Sequence, residues 1–156
     1  MSRIQLRPLS LDDAPQLLAL EQTLFDDPWS LPALERFLQR GDPALGLEEG
    51  GQLVGYLLCG KGADEADLLR VAVRAEKRRR GLAVKLLQHL FKALESAGVG
   101  ALYLEVRLSN EAAIACYQGQ GFETLGVRKQ YYPAPGGRED AMLMRRYLNA
   151  AERAAD

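Results

Sequence analysis

Apolar residues fall in short blocks along the chain, and their spacing changes from every second residue to every third or fourth and back. Ile4-Gln5-Leu6-Arg7 alternates and ends at Pro8, which predicts a first strand. Ser10-Leu11-Asp12-Asp13 has the form of a capping-box start, and Leu17, Leu18, Glu21, Leu24 and Phe25 then follow helical spacing. Asp26-Asp27-Pro28-Trp29-Ser30 breaks that helix. Ser30 is placed to cap a second one, with Pro32 in its first turn and Leu34, Phe37 and Leu38 turned inward. Gly41, Pro43 and Gly46 predict a loop. Gly50-Gly51 then separates a short strand near Leu45–Glu48 from a stronger one at Leu53–Cys59, the pattern of a hairpin.

After a turn at Gly60–Glu65 the spacing predicts a strand over Leu68–Val73. It is followed by the basic loop Lys77-Arg78-Arg79-Arg80 and a helix from Gly81 to about Ala97, carrying Leu86, Leu87, Leu90 and Leu94 on one face. Gly98 and Gly100 end it, and Ala101–Val106 reads as a strand with Leu102, Leu104 and Val106 on one face and Tyr103 and Glu105 on the other. Strand, helix, strand in this form predicts a right-handed parallel crossover. Ser109-Asn110 caps a short helix with Ala113, Ile114 and Tyr117, stopped by Gly119 and Gly121. Phe122–Val127 and Ala141–Met144 predict two closing strands, joined by a long Tyr131–Arg138 excursion rich in Pro and Gly. The expected architecture is an α/β mixed sheet in a single domain over residues 1–148. Residues 149–156 form an Ala-rich tail, expected as a frayed helix end or disorder.

The 156 residues, 47% hydrophobic and 26% charged, suit one soluble domain with a real core. A formal net charge of -1 removes any global case for nucleic acid or an anionic membrane, so an anion site has to be local. Cys59 and Cys116 give neither a disulfide framework nor a zinc site, and clustered His/Cys metal ligands are missing. No apolar run approaches the ~20 residues of a membrane span, and the N-terminus lacks a signal-peptide pattern; a cytoplasmic location is the expectation.

Local chemistry adds candidates. Cations at a helix start are unfavourable against the positive end of the helix dipole unless an anion sits among them, held by backbone N–H groups; the alternative is a solvated basic loop. Glu105, a carboxylate in an apolar strand, is a candidate general base, or else pairs with an arginine such as Arg107. Tyr117 has core packing as its other reading, and Asn110 that of an ordinary cap. His89, the only histidine, is expected in solvent. Gly81-Leu82-Ala83 falls short of a dinucleotide fingerprint, and no GxxxxGK[ST] loop exists.

Taken together, the residues resemble a family. Arg78-Arg79-Arg80-Gly81-Leu82-Ala83 is similar to the Q/R-x-x-G-x-G/A signature of the GNAT acyltransferases, with Arg78 for the commoner Gln and Ala83 for the second glycine. Leu104-Glu105-Val106-Arg107 with Ser109-Asn110, Ala115-Cys116-Tyr117 and Gly121-Phe122 extend the likeness. Arg128-Lys129-Gln130-Tyr131-Tyr132-Pro133, Gly137-Arg138-Glu139-Asp140-Ala141 and Asp27-Pro28-Trp29-Ser30 resemble its RimI type, which acetylates the N-terminal alanine of ribosomal small-subunit protein eighteen. The likeness runs from about Ile4 to Met144.

The resemblance implies a central mixed, mostly antiparallel sheet with helices on both faces, and acetyl-CoA as co-substrate with no metal. It places the pantetheine arm on the backbone of Val71, Ala72 and Val73. The pyrophosphate falls to the loop from Arg78 through Arg79, Arg80, Gly81, Leu82 and Ala83 to Val84, with Asn110 touching the cofactor. Glu105 becomes the general base and Tyr117 the general acid. Trp29, Tyr131, Tyr132, Glu139 and Asp140 fall on the acceptor side, with Asp26 and Asp27 nearby. The implied partner is a protein N-terminus, that of a ribosomal protein, with no nucleic acid or membrane, and the chain is expected as a monomer or weak dimer. Small amines, other N-termini or lysines are alternative acceptors, and a non-catalytic acyl-CoA-binding module is the alternative of a different class.

Overall fold

The computed structural model describes residues 3–149. The chain runs β1 (Ile4–Pro8), α1 (Ala14–Leu24), α2 (Leu31–Arg40), β2 (Ala44–Glu49), β3 (Gln52–Lys61), β4 (Glu65–Val73), α3 (Leu82–Ser96), β5 (Ala101–Arg107), α4 (Glu111–Gly119), β6 (Glu123–Ala134) and β7 (Gly137–Tyr147). The strands form one mixed, open sheet in the order β1-β2-β3-β4-β5-β7-β6. β4 and β5 are parallel, with Glu65–Asp67 opposite Ala101–Tyr103, while β1/β2, β2/β3, β5/β7 and β6/β7 are antiparallel. The mixed, mostly antiparallel sheet expected from the sequence is therefore what the chain forms. Beyond Asn149 the expected C-terminal tail lies outside the described residues.

The residues group into two compact units. One comprises the described chain up to Lys61 together with Leu69–Leu90; the other comprises Gly62–Leu68 and the described chain from Phe91 onward. In the first unit Leu17 and Leu20 of α1, Leu34 and Phe37 of α2, and Leu53, Tyr56 and Leu58 of β3 bury one another. Each fully buried leucine contributes roughly 1.5–3 kcal/mol of transfer free energy, less the entropy of ordering it. Asp13 accepts the Ser10 N–H at 2.8 Å at the start of this helical segment, and Ser30 Oγ accepts from Ala33 N–H at 3.3 Å at the start of α2. Gly41 ends α2 in the left-handed conformation.

Gly46, expected in a loop, lies inside β2. A Cβ there would come within 2.6 Å of the Leu9 side chain, so the glycine serves close packing, not a turn.

In the second unit β5 alternates as predicted: Leu102, Leu104 and Val106 are buried, and Tyr103, Glu105 and Arg107 are half-buried. The expected Tyr131–Arg138 excursion is instead strand. β6 and β7 form a long hairpin in which Pro133 stands opposite Arg138 and Ala134 opposite Gly137. Proline is tolerated because β6 is the last strand in the order, where an N–H on the outer edge has no ladder to join.

One ion-pair cluster ties β1 to β2. Arg7 donates to Asp13 at 2.8 and 3.0 Å and to Glu48 at 3.1 Å. Hydrogen bonding from Arg7, opposed by burial, holds the Asp13 carboxyl below the ordinary carboxylate range. A depressed folded-state pKa stabilises the fold above the unfolded value of about 3.9 and loses that contribution as pH falls through the folded value. Asp13→Asn should lower the unfolding free energy by about 1–3 kcal/mol at neutral pH. In denaturant titrations the gap to the parent should shrink in acid, and an equally wide gap well below the carboxylate range would contradict this account.

Candidate active site

The first unit carries the basic loop. Lys77 and Arg78 are not free charges: Lys77 Nζ lies 2.6 Å from Glu49, and Arg78 Nε donates to the Val73 carbonyl at 3.1 Å. The first ties the loop to the end of β2 and the second to the end of β4. Arg79 and Arg80 are exposed and find no acceptor among the described residues. The backbone turns sharply between them and the helix, with Arg79 at φ 64° and Gly81 at φ 73°. The first helical hydrogen bond of α3 runs from Lys85 N–H to the Gly81 carbonyl at 3.0 Å. The N–H groups of Leu82, Ala83 and Val84 therefore precede the ladder and have no acceptor inside the helix. A Cβ at Gly81 would meet nothing within 4 Å, so the approach to those N–H groups is open. The donor set suits a pyrophosphate: N–H groups with no acceptor in the helix, the positive end of a helix, and two exposed cations beside it. Val71 is half-buried; Ala72 and Val73 are buried.

Sequence reasoning missed a buried cluster in this unit. Glu21 has a side chain that is 0% exposed. It accepts from the Tyr56 hydroxyl and from the Trp29 N–H at 2.8 Å. Arg70 Nη2 donates to it at 3.3 Å, and Arg70 Nε lies 3.2 Å away, off hydrogen-bond angle. Burial, then the Glu21 carboxylate, pushes the Tyr56 hydroxyl far up, so it stays a proton donor. The available signal was Glu21's place at helical spacing between Leu17 and Leu24, a carboxylate on a buried stripe.

The second unit carries the candidate base. Glu105 faces Leu143 across the β5/β7 ladder, and its partner is not Arg107 but Arg128 of β6, at 3.3 Å. Arg128 lies over the Tyr131 ring at 4.7 Å. Arg107 lies over Tyr132 at 4.5 Å, donates to the Pro133 carbonyl at 2.8 Å and reaches Glu139 at 3.4 Å. Tyr131 and Tyr132 meet edge to face at 4.9 Å.

Glu139 and Asp140, read as acceptor-side acids, are both engaged within the hairpin region. Glu139 takes the Ser109 N–H at 2.7 Å, which with Arg107 holds its carboxyl below the ordinary range. Asp140 takes the Gln130 N–H at 2.9 Å. Gln130 sits at φ 53°, and Arg138 donates to the carbonyls of Gln130 and Tyr131 at 2.7 and 2.8 Å. The hairpin irregularity at 129–131 is thereby fixed from both sides, which sets where Tyr131 and Tyr132 stand.

Tyr117 packs edge-on to Phe122 at 5.6 Å. Burial, with Cys116 and Tyr132 adding, raises its hydroxyl above the ordinary range, so at neutral pH it is a donor. Burial also pushes the Cys116 thiol up, which removes the thiolate a nucleophile needs. Asn110, exposed, caps α4 through its side-chain oxygen, which accepts from Ala113 N–H at 3.2 Å. His89 is exposed, as expected. Among the described residues no three His, Cys, Asp or Glu group to hold a metal, and no helix is long and apolar enough to cross a membrane.

Comparison with known proteins names the frame. The model of the acetyltransferase (GNAT) family matches residues 14–122. The chain belongs to the GNAT acetyltransferase family. It is 38% identical over 141 residues to the ribosomal protein bS18-alanine N-acetyltransferase of Escherichia coli K12, covering 87% of this chain and 92% of that one. The enzyme of the same name from Haemophilus influenzae is 37% identical over 139 residues, covering 87% and 93%. The crystal structure of the ribosomal-protein-S18-alanine N-acetyltransferase from Escherichia coli superposes with a TM-score of 0.88 at 35% identity, over 94% of this chain and 95% of that one. As a GNAT protein the chain is an acetyl-CoA-dependent N-acetyltransferase.

The left-handed turn at Gly81 gives a test. An L-residue there loses ~1–2 kcal/mol, a factor of about 5–30 in an equilibrium constant. Gly81→Ala should raise the KM for acetyl-CoA by that factor in initial-rate measurements. An unchanged KM would mean that the turn does not present the N–H groups to the donor.

Proposed function

We propose that the chain acetylates the α-amino group of a protein N-terminus, with the alanine-starting terminus of a ribosomal small-subunit protein as acceptor. The observation that carries this reading is the 38% identity, over nearly the whole length of both chains, to an enzyme named for that reaction. The reaction takes place in the cytoplasm, with the chain acting as a monomer or weak dimer and without nucleic acid or membrane as partner.

In this reading the N–H groups from Arg79 to Val84 hold the pyrophosphate of acetyl-CoA, with Arg78 bracing the loop on the Val73 carbonyl, and Asn110 touches the cofactor. The backbone of Val71, Ala72 and Val73 carries the pantetheine arm and offers an N–H to the thioester oxygen as it gains charge. An α-amino group titrates near ~7.7–8.0, so at neutral pH it is mostly ammonium and has to lose a proton before it attacks. Glu105 takes that proton, directly or through one water. Arg128 is half-exposed, so its pairing with Glu105 is an easily exchanged one, of ~0–1 kcal/mol, and an incoming ammonium displaces it at little cost. The nitrogen then bonds to the acetyl carbon and the carbon–sulfur bond breaks. The departing thiolate accepts a hydrogen bond from the Tyr117 hydroxyl, which burial keeps protonated through neutral pH. As general acid Tyr117 passes its proton to the sulfur and regains one from solvent, which also receives the proton taken by Glu105. Trp29, Tyr131 and Tyr132 wall the acceptor peptide, and Glu139 and Asp140 serve by holding the hairpin that presents those tyrosines.

Incubation with acetyl-CoA and an alanine-starting peptide of the ribosomal protein should release free CoA and yield the acetylated peptide by mass spectrometry. Turnover confined to a polyamine or an aminoglycoside would refute the peptide reading. Glu105→Gln should leave acetyl-CoA affinity nearly unchanged and lower kcat by roughly 10²–10⁴, the usual contribution of a general base. A kcat equal to the parent's would take Glu105 out of that role.

A further inference from the structure

Glu21 is the one place in the first unit where a carboxylate is fully buried, and what it binds is the connection at 25–30 between α1 and α2. Its oxygens accept the Tyr56 hydroxyl from β3 and the Trp29 backbone N–H from that connection. Arg70 of β4 completes the set, 3.2 Å from one Glu21 oxygen. The same guanidinium donates to the Asp27 carbonyl at 2.7 Å and lies over the Phe25 ring at 3.9 Å. One ion pair therefore grips the connection at Phe25, Asp27 and Trp29.

A pair of this kind is a poor way to gain stability. Desolvating two charges costs several kcal/mol each, and apolar residues of similar volume often do as well or better. Its effect is geometric: each charge accepts only one arrangement of its partners. The location gives that geometry a use. Arg70 directly precedes Val71–Val73, and the basic loop that suits the pyrophosphate follows the other end of that strand. A donor lying along the strand with its pyrophosphate at Arg79–Val84 has its acetyl group toward Arg70, because the pantetheine arm runs away from the phosphates. Whatever Arg70 holds is then on the acceptor side.

We propose that Glu21 and Arg70 are positioning residues that fix the 25–30 connection for the acceptor peptide, so that a buried ion pair sets peptide affinity. The inference rests on the acetyl-transfer reading above for its use, and on the hydrogen bonds alone for the fixing.

Trp29 is the only tryptophan, so its fluorescence reports this connection directly. The experiment uses the full chain with Glu21→Gln and the double variant Glu21→Gln/Arg70→Met. The double variant removes both charges and leaves neither uncompensated, which keeps the fold accessible if the single variant unfolds. In both, the KM for an alanine-starting peptide at saturating acetyl-CoA should rise about tenfold, equivalent to ~1.4 kcal/mol. The KM for acetyl-CoA and kcat should stay within about twofold of the parent, and acrylamide quenching of Trp29 should rise. A folded double variant with parental peptide KM, or two KM values that rise together, overturns the positioning role. If the parent itself turns over no alanine-starting peptide, the acetyl-transfer reading fails, and quenching decides the remainder. Unchanged quenching in both variants overturns the fixing; raised quenching sustains it.

Discussion

A carboxylate with no water to turn to has to be answered by the protein, and Glu21 imposes that constraint on half the chain. Its donors come from β3, β4 and the connection after α1, at sequence separations of 35, 49 and 8 residues. None of the three is optional, since a buried carboxylate stripped of a donor keeps the full cost of its desolvation. The surrounding leucines of α1, α2 and β3 supply the burial that makes the demand strict. Apolar packing gives the first unit its stability, and the carboxylate gives it one arrangement of the connection at 25–30.

The basic loop solves a different electrostatic problem. Cations beside a helix N-terminus repel its dipole, yet here Lys77 is spent on Glu49 and Arg78 on the Val73 carbonyl. Those two bind the loop to the ends of β2 and β4, and the left-handed residues Arg79 and Gly81 turn the backbone into the start of α3. Only Arg79 and Arg80 remain as unspent charge. A chain of formal net charge -1 can in this way offer the proposed pyrophosphate site a donor set that is mostly backbone.

Local chemistry was legible in the sequence, and contacts across long separations were not. Period and caps placed the helices, because Ser30, Asn110 and the leucines of α3 act within a few residues of themselves. Pro133, Pro135 and the Gly136-Gly137 pair pointed to a loop where the chain forms a hairpin. The same residues that break a central strand are admitted on an edge strand and in a tight turn, and which strand lies at an edge is a property of the whole sheet. The residue types of the candidate site could be named from their motifs. Their partners could not: Arg107 is the sequence neighbour of Glu105, but Tyr132, Pro133 and Glu139 claim its guanidinium, and Arg128 arrives from β6 in its place.

Glu21 and Glu105 show how environment separates two identical side chains. Glu21 is sealed among Tyr56, Arg70 and the Trp29 N–H, and exchanging any partner would leave a buried charge bare. Glu105 keeps a side chain that is 30% exposed, with a single guanidinium partner that is itself 51% exposed. Water can replace that partner at once, so the pair is worth about 0–1 kcal/mol and can be broken and remade in every turnover. A proton acceptor needs that freedom, since it has to meet an ammonium, take its proton and release it again. A positioning carboxylate needs the opposite. The half-buried face of β5 supplies the first environment and the packed face of α1 the second, which is why the proposed base lies on the strand and the anchor on the helix.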